Sequence, residues 1–274
     1  MTAAEEFMQA MAAAGIEPHG ELVLIDGQLL RFRVKGDKAG SRNGACVFYS
    51  QPGPAGWFGS WRTGASHTWR MRPPIGETAG ARAERRRQLE EMRRLRSVEL
   101  LRVQASARER VARLLRTARP ASDGHSYLLS KGVHAYGIFQ LNNMLMIPGH
   151  DVDGVIHTAQ FIGPDGVKRF ISGGRVEGCY FSIGRPVDCI YVTEGYATAA
   201  TVFEATGAAT AACFSCGNLK SVALALRAKF PELRLVIAAD NDENTEGNPG
   251  VRYAFEAAAA AGALVAVPDF KVSR

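Results

Sequence analysis

Cys189-Ile190-Tyr191-Val192-Thr193-Glu194-Gly195-Tyr196 is a short apolar, partly β-branched run that ends abruptly in an acid and a glycine. Some forty residues downstream, Leu235-Val236-Ile237-Ala238-Ala239-Asp240-Asn241-Asp242 repeats the design, an apolar run closed by acids. Read outward from these two, the chain alternates regularly. Strand Cys189–Thr193 is followed by helix 196–206, strand 208–214, helix 219–230, strand 234–239, helix 251–261 and strand 264–267. Strands and helices in strict alternation require crossover connections, which are right-handed and make the strands mainly parallel. The expected fold is therefore α/β, a mainly parallel C-terminal sheet flanked by helices. It contains neither a Walker-type phosphate loop nor a dinucleotide glycine fingerprint, so phosphate must be held another way.

In an open sheet of this kind, ligands gather beyond the carboxyl ends of the strands. Glu194, Asp240 and Asp242 stand at those ends. Three carboxylates on one rim repel one another unless a cation neutralises them. Magnesium, or manganese, suits such a rim because it prefers oxygen ligands and shares its remaining positions with waters and substrate phosphates. The chemistry that follows is phosphoryl or nucleotidyl transfer. Simpler readings exist for each acid alone: Glu194 as a helix cap, Asp240-Asn241-Asp242 as a polar turn. They leave the shared order and placement of the acids unexplained.

Upstream of this region, 126–129 begins a short helix ending at Lys131-Gly132, and 144–148 and 155–162 read as strands joined by the turn Asp151-Val152-Asp153-Gly154. A second turn, Gly163-Pro164-Asp165-Gly166, leads into Lys168-Arg169-Phe170-Ile171-Ser172-Gly173-Gly174-Arg175. Lys168, Arg169 and Arg175 around a Gly-Gly turn suit phosphate contact, although clusters of this kind also occur as plain surface.

Residues 1–75 read as a small β-rich module: a helix over 3–14, then strands over 21–25, 29–34 and 45–49 separated by glycine turns. Within it, Gly56-Trp57-Phe58-Gly59-Ser60-Trp61-Arg62-Thr63-Gly64 is open to two readings, base stacking or a hairpin whose tryptophans are core. Residues 76–120 form a third segment after the Pro73-Pro74 linker. From Arg82 to Arg119 it holds thirteen arginines against five glutamates. Leu89, Met92, Leu95, Val98, Leu101, Val111, Leu114 and Leu115 recur at helical spacing, which predicts one long amphipathic helix with a single apolar stripe. The catalytic core is expected over 121–274.

The chain's 274 residues carry a net charge of +6, and because the arginine-rich helix alone exceeds that, the remainder is slightly acidic. This charge favours an anionic partner. With 46% hydrophobic residues the chain can bury a substantial core. There is no signal-peptide pattern and no apolar run long enough to span a bilayer, so a soluble cytoplasmic protein without a membrane partner is expected. Five cysteines, with only Cys213 and Cys216 closely spaced, make neither a disulfide framework nor a four-thiolate zinc site.

A resemblance becomes specific on these residues. Tyr191-Val192-Thr193-Glu194-Gly195-Tyr196, Ala239-Asp240-Asn241-Asp242 and Gly247-Asn248-Pro249-Gly250 resemble the Toprim domain of bacterial-type DNA primases, topoisomerases and some nucleases. Met146-Ile147-Pro148, Asp153-Gly154 and the 166–174 segment are similar to the basic stretch that precedes Toprim in the primases. Gly59 to Gly64 and His125 to Val133 extend the likeness to primases of plasmids and prophages, often fused to helicases. The resemblance implies a Toprim part over about 187–270, with Glu194, Asp240 and Asp242 holding metal and Lys168, Arg169 and Arg175 facing template or nucleotide. It also implies synthesis of short RNA primers on single-stranded DNA from nucleoside triphosphates, with a replicative helicase as a further partner. A Toprim nuclease, or a non-catalytic module that binds DNA or recruits a helicase, are the competing functions. The zinc-binding domain of many primases is not expected, since Cys46, His19 and His67 cannot complete such a site. The sequence ends soon after Pro268-Asp269-Phe270, where relatives usually continue, so a fragment or a stand-alone form is expected.

Overall fold

The computed structural model describes residues 2–51, 53–71, 78–241, 243, 245 and 247–269. The chain forms two compact units, Met1–Val98 and Glu99–Arg274, and the division falls inside the expected helical segment.

In the first unit, α1 (Ala3–Ala13) begins with a capping box between Thr2 and Glu5. It packs on an antiparallel sheet in the order β1 (Leu30–Phe32), β2 (Gly44–Tyr49), β3 (Ala55–Ser60), β4 (Ser66–Arg70). Phe7 and Met11 of α1 close a core with Phe32, Val34, Cys46, Phe48 and Phe58. The strand expected over 21–25 does not form. Leu22 and Leu24 rest against the core while Val23 and Ile25 face water, so the alternation is that of an irregular segment lying on the core, attached to the sheet by a bridge from Asp26 to Phe48.

The arginine-rich stretch is a single helix, α2 (Ala79–Thr117). Its apolar stripe is buried only toward the C-terminal end. Val111 is fully buried and Leu114 and Leu115 partly so, whereas Leu95, Val98 and Leu101 are exposed, so helical spacing alone overstated the covered face.

The second unit holds two further sheets. The middle sheet is antiparallel, in the order β5 (Arg119–Pro120), β6 (Phe139–Leu141), β7 (Met144–His150), β8 (Ile156–Ile162), β9 (Lys168–Phe170). The C-terminal sheet runs β10 (Phe181–Ile183), β12 (Ala209–Ala212), β11 (Cys189–Thr193), β13 (Arg234–Ala238), β14 (Leu264–Ala266), parallel except for β10. The expected α/β class and mainly parallel sheet are thus found, with an antiparallel edge strand added. Helices α5 (Leu219–Lys229) and α6 (Pro249–Ala261) cover one face of this sheet, burying Ile190, Val192, Leu235 and Ile237. On the other side, α4 (Tyr196–Thr206) and α3 (Ser126–Lys131) share a core with Leu145, Ile147 and Ile162 of the middle sheet. The opposite face of the middle sheet, Met146, Ala159 and Phe161, packs on Val111 of α2. Among the described residues no helix is long and apolar enough to cross a membrane.

Candidate active site

Strands β11 and β13 are parallel neighbours in register, Thr193 beside Ala238. Chain direction being the same, the residues following Thr193 and Ala238 emerge from one edge of the sheet. Glu194 and Asp240 therefore stand on adjoining loops. A hydrogen bond joins them further: Thr198, in the first turn of α4 that starts just after Glu194, donates from Oγ1 to Asp240 Oδ1 at 3.2 Å. Glu194 is not the cap of that helix. The cap position is Gly195, in extended conformation and without a side-chain cap bond, which removes the simplest structural role for the acid.

The field of both carboxylates is felt by neighbours. Burial raises the phenol pKa of Tyr127, on α3, and the charge of Asp240 raises it further. Complete burial pushes the Cys213 thiol well up, and Glu194 adds to the shift. Thus Cys213 is a neutral, packed neighbour of the acid, in keeping with a structural reading of the Cys213/Cys216 pair. The third expected acid, Asp242, lies outside the described residues. Among the described residues no group of three acids, histidines or cysteines converges on one point.

The Asp240 loop is held by amide side chains. Asn241 donates to Glu243 Oε1 at 2.9 Å and to the Pro268 carbonyl at 3.1 Å. Asn248, at φ 37°, caps α6 and donates from Nδ2 to Asn241 Oδ1 at 2.8 Å. Pro249 at the start of α6 suits a position where no amide donor is needed.

The three expected basic residues part company. On β9, Lys168 pairs with Ile162 and Phe170 with Gln160, which places both on the face shared with α4 and the C-terminal sheet. Lys168 Nζ lies 3.6 Å from where a Cβ on Gly195 would sit, an ordinary contact distance, so the ammonium stands beside the residue that follows Glu194. Phe170 meets the Phe214 ring edge-on at 5.6 Å. Arg169 pairs with Phe161 and by the two-residue alternation of a strand faces the other way, toward the side packed by α2. Arg175 donates to Asp151 Oδ2 at 3.0 Å and to the Glu177 carbonyl at 3.2 Å. His157 Nε2 lies 2.7 Å from the same Asp151 oxygen. Partial burial works to raise the Asp151 pKa, but the bonds from His157 and from the Val155 and Asp153 amides hold it below the ordinary carboxylate value.

Several residues that position this edge carry little sequence signal. Thr198 reads as an ordinary helical threonine, and Tyr127 as core. Asn218, nearly fully buried, accepts from the Gly178 amide, and its own amide group reaches the carbonyls of Val176, Cys179 and Cys213, stitching the 175–179 loop to the sheet. An asparagine before an apolar helix is visible in sequence only as a cap, and Asn218 makes no cap bond.

Residues 189–270 match the family described as the Toprim domain. The match begins at β11 and ends beyond β14, so it takes in the acid-bearing loops but not the middle sheet that supplies Lys168. Over 98% of its length the whole chain is 37% identical to a DNA primase TraC of Escherichia coli, covering 27% of that protein. A second Escherichia coli DNA primase TraC is 35% identical over 98% of this chain and 20% of its own length. The chain therefore spans about a quarter of the length of the curated relatives it matches. A chain of the solved complex of bacteriophage T7 lagging-strand DNA polymerase with primase domains of two gp4 subunits is 18% identical. That likeness covers 57% of this chain and 82% of the other, with a TM-score of 0.41. The resemblance to Toprim-containing primases read from the sequence is thus borne out, both in the Toprim segment and in similarity running almost end to end.

Proposed function

We propose that this chain is a DNA primase, a nucleotidyltransferase that joins nucleoside triphosphates into short RNA primers on a single-stranded DNA template. One observation carries the reading: Glu194 and Asp240 leave neighbouring parallel strands on one edge, with the Lys168 ammonium beside Gly195. Acids alone on an edge suit several reactions of phosphate esters. Acids with a cation beside them suit a site that must also receive the polyanionic tail of a triphosphate. Similarity to DNA primase TraC along 98% of the chain supports the choice among those reactions.

The side chains divide the work. Glu194 and Asp240, joined by Asp242, would hold magnesium or manganese, which supplies charge neutralisation at the reacting phosphate. Thr198 fixes the orientation of Asp240 through its hydrogen bond. Lys168, beside Gly195, binds a phosphate oxygen. Tyr127 stays a neutral phenol at any physiological pH, since burial and Asp240 both oppose its ionisation. Arg169 and Arg175 serve the template or nucleotide less directly, Arg175 through the Asp151 network that shapes the loop after β9. A replicative helicase remains a proposed partner, and a cytoplasmic location goes with these roles.

The test is primer synthesis by the full chain on single-stranded DNA with ribonucleoside triphosphates and manganese or magnesium. Asp240→Asn is expected to lower synthesis by about a hundredfold or more, the usual scale for a metal-holding acid. It should also weaken manganese binding measured by electron paramagnetic resonance, with DNA affinity retained. Cutting of the template instead of extension would make the chain a Toprim nuclease. Binding without either reaction would leave a non-catalytic module.

A further inference from the structure

The first unit carries a built surface that the Toprim chemistry does not use. In its sheet, Phe58 and Cys46 face the core, so the strand alternation puts Arg31, Ala45, Gly59 and Ser66 in one outward row and Val47, Trp57 and Thr68 in the next. A Cβ on Gly59 would meet the Ala65 carbonyl oxygen at 2.7 Å and Trp57 Cζ2 at 2.9 Å, so glycine at this position lets both the facing backbone and the indole lie close against the strand. Trp57 is fixed there by donating from Nε1 to Ser66 Oγ at 2.8 Å. Trp61 follows at the end of β3, its ring 6.2 Å from Trp57 and nearly perpendicular, and it is 58% exposed. The Arg31 guanidinium lies 3.8 Å from the Trp61 ring centre.

An exposed tryptophan costs solubility, and this one is held in place. The Trp61 amide donates to the Asn43 carbonyl at 2.9 Å. Next to it, Arg62 Nε lies 2.6 Å from Oδ1 of Asp37, a carboxylate buried under the turn, and Asn43 donates to the other Asp37 oxygen at 3.3 Å. The turn is therefore pinned on both sides while its aromatic ring stays out. Between residues 30 and 70 the chain has seven lysines and arginines against one acid, Asp37 itself. Lys35 is paired with Glu17 and Arg62 with Asp37, but a face that combines a rigid exposed indole, a stacked guanidinium and the positive charge of Arg31, Arg42 and Arg70 fits a polyanion with flat rings.

We infer that this face, centred on Trp61, Trp57 and Arg31, binds single-stranded nucleic acid by stacking unpaired bases, without any zinc ion. The inference goes beyond the primase reading and rests on it only in supplying a place for the template. Charge favours this occupant over a protein partner. Bases must be unpaired, because a duplex hides its ring faces. Arg42, which donates to the Arg31 carbonyl at 3.0 Å, and Arg70 at the far end of β4 flank the indoles as phosphate contacts.

Tryptophan fluorescence of the full chain, titrated with an oligothymidylate, an oligouridylate and a duplex of equal length, tests this. Quenching by both single strands but not by the duplex is expected. Trp61→Ala should weaken single-strand binding by roughly tenfold, the scale of one lost stacked base, and Trp61→Phe should recover much of it. Unchanged affinity in Trp61→Ala, equal quenching by the duplex, or no quenching in the wild-type chain would each overturn the inference. Asp240→Asn should quench like the wild type. Failure of primer synthesis with Trp61-dependent binding intact would sink the primase reading alone.

Discussion

The acidic edge of the C-terminal sheet and the aromatic face of the N-terminal sheet each set a glycine beside a functional side chain, but only the second needs it for space. At the edge, the Lys168 ammonium stands at ordinary contact distance from Gly195, the residue that follows an acid. On the N-terminal face, Gly59 leaves out a side chain that would meet the Ala65 carbonyl and the Trp57 indole, so backbone and ring both close on the strand. The first arrangement concentrates charge where two parallel strands end together. The second spreads flat, exposed surface across antiparallel strands. Parallel strands end together on one edge and suit a reaction at a point, whereas an open antiparallel face offers several square contacts in a row and suits a strand of bases. On the proposed reading, chemistry and grip fall to different architectures.

This division is open to attack from several sides. The largest effect belongs to Glu194→Gln, which should reduce primer synthesis by about a hundredfold or more while leaving Trp61-dependent quenching unchanged. Quenching that fell together with synthesis would show that the two sites do not work separately. Next comes the contrast between neighbours on β9. Lys168→Ala should lower kcat/KM for synthesis by roughly tenfold to a hundredfold, as for loss of one charged contact to a phosphate, and Arg169→Ala by about twofold or less. Equal losses would mean that the strand's pleat does not sort the two side chains as described.

A smaller effect is expected beside Lys168. Gly195 is in an extended conformation that alanine also adopts, and the added Cβ would only touch the end of a flexible lysine. Gly195→Ala should therefore keep the melting temperature while raising KM for nucleotide by about threefold, on the scale of a misplaced binding group. A large fall in melting temperature would assign Gly195 to folding and not to the site. The smallest effect concerns Asp151. Its folded pKa lies below the unfolded value near 3.8, so its contribution to stability is present above about pH 4 and fades as pH falls through the folded value. The difference in melting temperature between the wild-type chain and Asp151→Asn should be a few degrees at pH 6 and should shrink as pH falls below the ordinary carboxylate range.

The comparison of Lys168 with Arg169 also shows how far a sequence can be read. The alternation of strands and helices after residue 188 is a local property, set by where apolar residues recur and where glycines and acids interrupt them. From it follow the parallel sheet, the edge on which Glu194 and Asp240 gather, and the Toprim likeness. The acids are legible because a strand's end is legible. Thr198 and Asn218 are not, because each acts through a hydrogen bond to a residue 42 or 40 positions away. Helical spacing in α2 was visible, but which part of its stripe would be covered depended on what packed there, and Leu95, Val98 and Leu101 stayed in water.

What the amino-acid order determined by itself is the class of the fold and the rim on which its acids stand. Hydrophobic periodicity is enough for that. Only the tertiary structure decided that Lys168 turns to the Toprim edge and Arg169 away from it, that Arg175 is engaged by Asp151, and that Trp61 is held out of the core. A strand's pattern says that its neighbours point to opposite faces, but which face meets the active edge is settled by the distant segments that pack on the sheet.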